Sequence, residues 1–315
     1  MCIRDRIWGV LVVTLSKIPN LKHQTPNSKN LYQMWVVGIW NSVLGIFLIM
    51  KIRQNTFKQN LLKGIPQYGI WNGLVDSYAA EICAGAGFDW ITIDGEHAPF
   101  DLRTILHNMQ AIQSHGVSAV VRIPAADPVI IKQLLDTGAQ NILVPMIETA
   151  DQAELVAKAM RYPPIGIRGV GTALARAAQW NRVDNYFQLA NDQMCCMGQI
   201  ESIKAVEALD EILEVDGLDI CFIGPADLGA TMGYLGQAGH PEVVKLVKDC
   251  IKRIVKAGKI AGFLTGSKAL IQDYLDAGAL MAGVGLDTLI LAKGTKRLAE
   301  EYKTELKEDQ SSTEY

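Results

Sequence analysis

The sequence has no surplus of positive charge to offer a phosphate backbone. The chain carries 30 Lys/Arg against 33 Asp/Glu, and beyond residue 49 the balance is 25 against 32. A nucleic-acid-binding face needs clustered cations, so nucleic acid is excluded as a partner. The six cysteines, Cys2, Cys83, Cys195, Cys196, Cys221 and Cys250, contain no C-x-x-C pair, and no histidines cluster, which excludes a structural zinc site. Three of them fall in apolar runs, where a reduced and buried thiol in a cytoplasmic protein is expected. No G-x-G-x-x-G follows an early strand, which argues against a dinucleotide-binding open sheet. What is present is 49% hydrophobic residues, 20% charged residues and 28 glycines, the composition of a chain with a sizeable packed core.

One apolar run is long. Residues 34–50, MWVVGIWNSVLGIFLIM, are 17 residues with only Asn41 and Ser42 polar, followed by Lys51 and Arg53. That length is at the lower limit for a membrane-spanning helix, and the basic residues after it would hold the body on the cytoplasmic side. Two readings compete: a single membrane anchor, or upstream sequence foreign to the protein, with Met50 as the true start. The second is preferred, because residues 50–315 have a usual length for an eight-stranded α/β barrel. The domain plan is then 1–49 as extension, 50–303 as barrel and 304–315 as a polar, frayed tail. The body is expected to be cytoplasmic, with a membrane as partner only if 34–50 is a genuine anchor.

From Gln67 onward, short apolar or β-branched runs alternate with segments of helical periodicity. The runs lie at 67–71, 90–94, 118–123, 141–146, 195–201, 219–223, 260–264 and 280–284. Near-continuous apolar strands separated by helices indicate a parallel sheet buried on both faces. Eight such units predict a (β/α)8 TIM barrel. The phrases AGAGFDW, DTGAQNI and DAGALMA, each a helix end with glycine before the next run, support that count. The rhythm breaks once, at 161–194, which predicts a long insertion between strands 4 and 5.

In such a barrel the active site lies where the strands end. Strand 2 ends in Asp94-Gly95-Glu96-His97, strand 3 in Arg122, strand 5 in Gln199 and Glu201, strand 6 in Gly224-Pro225-Ala226-Asp227, and strand 1 at Trp71. No lysine stands at these ends, which argues against a Schiff base. Glu201 and Asp227, from neighbouring strands, suit Mg²⁺ or Mn²⁺ chelated by a 2-oxo acid; each alone could equally be a helix-start carboxylate. His97 follows Asp94 by three residues, a spacing that lets a carboxylate orient an imidazole for acid/base work. His23, His107, His115 and His240 are read as structural. Arg122 needs an anionic partner, either a protein carboxylate or the substrate, with a slight preference for the substrate. The Ala226 and Asp227 amides open a helix and could hold a carboxylate, though a plain helix start is nearly as good a reading. Trp71 is a pocket wall or a barrel cap. Glu148 is read as a solvated or helix-start carboxylate, not a third ligand.

The segments ITIDGEHAPFD, VVRIP, LLDTGAQNILVPMIETADQA, YPPIGIRGVGTALARAAQWN, ANDQMCCMGQIES and FIGPADLGATMGY closely resemble the HpcH/HpaI aldolases, metal-dependent (class II) pyruvate aldolases. The resemblance runs from about Phe57 to Leu298; the first 49 residues have no counterpart in it. It implies reversible retro-aldol cleavage of a 4-hydroxy-2-oxo acid to pyruvate and an aldehyde, with Mg²⁺, Mn²⁺ or Co²⁺ as cofactor. It makes Glu201 and Asp227 the metal ligands and places Gln199, Trp71 and the Ala226 and Asp227 amides around the pyruvate. Asp94 and His97 become the acid/base pair, and Arg122 the contact to the pyruvate oxygen. It also implies a homo-hexamer, a trimer of dimers exchanging the last helix. VVRIPAAD and Trp71-Asn72-Gly73 depart from the family pattern, which leaves the aldehyde open between a dicarboxylate semialdehyde and the hydroxyaldehydes released from 2-keto-3-deoxy-sugar acids. A membrane-tethered scaffold barrel without turnover is the non-enzymatic alternative, and the intact set of polar strand ends weighs against it.

Overall fold

The computed structural model describes residues 50–311. The chain divides into two compact units, Met1–Ile49 and Met50–Tyr315, and all of the described residues belong to the second. The expectations for the extension, and for 34–50 as an anchor, therefore fall outside the described residues apart from Met50. Among the described residues no helix is long and apolar enough to cross a membrane.

Eight parallel strands close into a barrel in sequence order: β1 (Gln67–Asn72), β2 (Trp90–Asp94), β3 (Ser118–Arg122), β4 (Asn141–Val144), β5 (Cys195–Ile200), β6 (Ile220–Ile223), β7 (Ile260–Leu264) and β8 (Met281–Leu286). Their alternation separates two cores. Trp71, Trp90, Val120, Leu143, Met197, Phe222 and Met281 fill the barrel, whereas Ile70, Ile91, Val121, Ile142, Cys196, Cys221 and Phe263 pack outward under the helices. Both faces are apolar, which is why the strands read as continuous runs.

Helix α1 (Thr56–Leu62) precedes the barrel and closes one end of it, placing Phe57 and Leu61 in the inner core. The ring helices are α2 (Ser77–Ala84), α3 (Leu102–Ser114), α4 (Pro128–Thr137) and α5 (Ala150–Ala159) in the first half. The insertion after α5 carries α6 (Tyr186–Ala190), and the second half adds α7 (Ile203–Glu207), α8 (Leu209–Leu213), α9 (Pro225–Thr231), α10 (Pro241–Lys256), α11 (Lys268–Asp276) and α12 (Asp287–Ser311). Most open on a side-chain cap, such as Asp101 on the Thr104 amide of α3. Gly138 and Gly278 stop α4 and α11 in left-handed conformations (φ +103° and +109°), as the repeated glycine phrase predicts.

One expectation needs correction. The single helical segment 202–213 is two short helices, parted at Ala208. Helix α12 runs on to Ser311. Its exposed turns carry i,i+4 pairs, Lys296 with Glu300 at 3.8 Å and Arg297 with Glu301 at 3.9 Å, each a small contribution to the helix.

Candidate active site

β2 and β3 are paired so that Asp94 stands beside Arg122. The Asp94 carboxylate accepts the Arg122 Nε at 2.9 Å and one terminal nitrogen at 2.5 Å, while the other terminal nitrogen lies 2.9 Å from Glu96 Oε2. The guanidinium also sits over the Trp71 ring, 5.5 Å from its centroid. The partner that Arg122 requires is thus supplied by the protein itself. Two of its five N–H donors are hydrogen-bonded to Asp94, Glu96 Oε2 pairs by charge without accepting a hydrogen bond, and the remaining N–H groups are left for a ligand. Burial pushes the Asp94 carboxyl up, but the Arg122 hydrogen bonds and charge, with the His97 and Glu96 amides, outweigh it and hold it below the ordinary range.

This geometry corrects the expected Asp94–His97 pair. Asp94 reaches His97 only through its backbone amide, at 3.2 Å, and the imidazole side chain is 68% exposed. The physical reason is competition: a buried guanidinium one strand away takes both carboxylate oxygens. The carboxylate nearest the ring is Glu96, with Oε2 4.0 Å from His97 Nε2. The sequence alone gives Glu96 no role. Its carboxyl is raised by burial and by the charges of Asp94 and Asp227, against the pull of Arg122 and His97.

Glu201, just past β5, is buried and tethered at both oxygens. Oε1 accepts the Met146 N–H at 2.8 Å, and Oε2 accepts the Gln199 amide at 2.7 Å. Gly224 closes over it so tightly that a Cβ there would lie 2.6 Å from Oε2. Burial drives the Glu201 carboxyl up to about 7, the Met146 N–H opposes this, and the neighbouring charges of Asp227 and Glu96 add to it. Asp227 and Ala226 are exposed in the first turn of α9, whose N-cap, Gly224, provides no side-chain bond. Trp71 lies lower, buried between Trp90 and Phe222 at ring distances of 5.9 and 5.4 Å. Glu148 is occupied elsewhere, by Ser202 at 2.7 Å and Lys204 at 3.1 Å.

Four carboxylates, Asp94, Glu96, Glu201 and Asp227, and one arginine therefore stand at the ends of β2, β3, β5 and β6, and the pair not bound to the arginine, Glu201 and Asp227, fits a divalent cation. Glu201 is a carboxylate held in place at both oxygens, its ionised form is disfavoured where no positive charge stands nearby, and the charge of Asp227 reaches it. Among the described residues no group of three His, Cys, Asp or Glu side chains could hold a metal by itself. A cation here would take Glu201 and Asp227 from the protein and its other oxygens from substrate and water. Buried Gln199 Oε1 and Trp71 Nε1 have no partner within the protein, which leaves an acceptor and a donor for what enters.

A family model described as HpcH/HpaI aldolase/citrate lyase matches residues 67–293. A 4-hydroxy-2-oxo-heptane-1,7-dioate aldolase of Salmonella heidelberg (strain SL476) is 52% identical over 254 residues, covering 81% of this chain and 97% of that protein. A protein of the same name from Klebsiella pneumoniae subsp. pneumoniae is 54% identical over 245 residues, 78% of this chain and 92% of that one. An HpcH/HpaI aldolase/citrate lyase family protein of known structure, from Burkholderia cenocepacia J2315, matches with a TM-score of 0.75 at 36% identity, over 79% of this chain and 100% of that chain. With the match spanning every strand of the barrel and a polar cluster suited to a cation at the strand ends, the chain belongs to the HpcH/HpaI aldolase/citrate lyase family of metal-dependent carbon–carbon lyases.

Proposed function

We propose that the chain catalyses the reversible cleavage of 4-hydroxy-2-oxoheptane-1,7-dioate to pyruvate and succinate semialdehyde, a step of homoprotocatechuate catabolism. The named relatives support the substrate. The observation that carries the chemistry is the buried, doubly tethered Glu201 carboxylate beside Asp227 and Arg122.

Glu201 and Asp227 would hold Mg²⁺, Mn²⁺ or Co²⁺, which when bound polarises the C2 carbonyl and stabilises negative charge on its oxygen. Arg122, hydrogen-bonded to Asp94 and paired with Glu96, directs its unbonded N–H groups at that same oxygen, so its charge is in place before the reaction begins. The free first-turn amides of Ala226 and Asp227 receive the C1 carboxylate, and Gln199 and Trp71 line the space beneath. His97, at the open edge next to Glu96, takes the proton from the C4 hydroxyl as the C3–C4 bond breaks and the aldehyde leaves. Protonation at C3 of the resulting enolate gives pyruvate.

Pyruvate release, measured with a coupled dehydrogenase, tests this reading. EDTA is expected to abolish release and Mg²⁺, Mn²⁺ or Co²⁺ to restore it. Inactivation by borohydride in the presence of pyruvate would instead reveal a Schiff base and overturn it. In the reverse direction, comparison of succinate semialdehyde with lactaldehyde and tartronate semialdehyde separates the dicarboxylate substrate from sugar acids. The homo-hexamer implied by the resemblance is part of this proposal; Leu289, Ile290, Leu291 and Leu298, exposed on α12, are apolar side chains that support association with further copies without fixing their number.

A further inference from the structure

At the end of β4 the chain makes a turn that its residue type does not favour. Met146 lies at φ +52°, in the left-handed region, with its side chain exposed. For a residue other than glycine such a conformation is strained. On either side the chain keeps its place against β5. Val144 pairs with Gly198, and the Ile147 N–H donates to the Gln199 carbonyl at 3.1 Å. Between them the Met146 N–H leaves the plane of the ladder and donates to Glu201 Oε1 at 2.8 Å. An extended residue at this place would keep its N–H within the sheet.

We infer that Met146 is a positioning residue for Glu201: its left-handed backbone aims one amide at the carboxylate while Gln199 holds the other oxygen. Both oxygens are then oriented before a cation arrives, and the strain of one residue is sustained by the two strands that pin its neighbours. The exposed thioether has no part in this. The inference rests on the metal reading above, in which Glu201 is a ligand.

Substitutions at position 146 separate backbone from side chain. Glycine and asparagine enter the left-handed region readily, alanine resembles methionine there, and a β-branched valine is the most strained. The measurement is Mn²⁺ affinity by calorimetry, with the EPR spectrum of the bound ion and the Tm of each variant recorded alongside. M146G, M146N and M146A are expected to bind within about threefold of the wild type, and M146V more than about tenfold more weakly, the size of effect seen when support for a metal ligand is lost. Wild-type affinity in a folded M146V would overturn the inference. So would a tenfold loss in M146A, a result that decides the matter even if M146V does not fold. A wild type that takes up no Mn²⁺ overturns the metal reading and this inference together; binding by the wild type with the wrong order among the variants overturns this inference alone.

Discussion

Arg122 depends on geometry as well as charge. Its fork is shared between Asp94 and Glu96, and only what is left over can meet a substrate. A lysine would carry the charge but lacks the planar fork that grips both Asp94 oxygens and keeps further N–H groups in fixed directions for a substrate. Arg122→Lys is therefore expected to lose turnover nearly as severely as Arg122→Ala, by about two to three orders of magnitude in kcat; a lysine variant within a few-fold of wild type in pyruvate release would refute this. Glu201 makes a different prediction. Its carboxyl titrates at about 7 in the folded chain, above the ordinary 4.5, so the metal-free fold binds this proton more tightly than the unfolded chain does. The stability gained is fully present below about 4.5 and lost as pH rises through about 7. Glu201→Gln, neutral at every pH, is expected to raise the Tm of the metal-free protein at pH 8 and to leave it unchanged near pH 4, as followed by circular dichroism in EDTA. An equal Tm at pH 8 would show that the ionised carboxylate is not penalised by its burial. The identities of Glu201, Asp227 and Arg122 as polar strand ends were legible in the sequence, because a charged side chain closing an apolar run is conspicuous. Their partners were not. That Asp94 serves Arg122 rather than the His97 ring follows from the β2–β3 register, and that Glu201 is held by a Met146 N–H involves a backbone group, which no residue pattern displays.

At the scale of elements, the strands were legible because each is apolar on both faces, and their ends moved by only a residue or two. The insertion was visible only as a break in rhythm. Its order comes from Arg168, whose side chain is wholly buried, with a terminal nitrogen 2.8 Å from Asp136 on α4 and its guanidinium over the Tyr162 ring, 4.4 Å from the centroid. Nothing in GIRGVG distinguishes this arginine from a solvated one, since its aspartate lies on an earlier helix. Arg168→Met removes the charge and strands a partly exposed Asp136. We expect a loss of about 2–4 kcal/mol, toward the lower end for a broken buried pair because Asp136 retains some solvent. Urea unfolding measures the loss, and limited proteolysis should locate the first cleavages within 161–194; first cleavage elsewhere would mean that Arg168 does not organise this segment.

At the scale of the whole molecule, α12 leaves the barrel with Leu289, Ile290 and Leu291 exposed on consecutive positions, in a helix whose remaining length is mostly charged. Apolar residues so placed gain free energy from water only if another surface covers them. Light scattering is expected to give an assembly larger than one chain, and Ile290→Asp is expected to shift it toward smaller species while leaving the barrel's circular dichroism unchanged. A monodisperse single chain in the wild type would remove the hexamer from the account.

Two carboxylates from adjacent strands, Glu201 and Asp227, are proposed to hold one divalent cation together with a keto acid. Mn²⁺ titration with and without pyruvate, in the wild type and in a Glu201→Gln/Asp227→Asn double variant, tests it most directly. The account predicts one Mn²⁺ per chain, bound more tightly when pyruvate is present, and no specific binding in the double variant. Undiminished, pyruvate-sensitive binding in the double variant would contradict it.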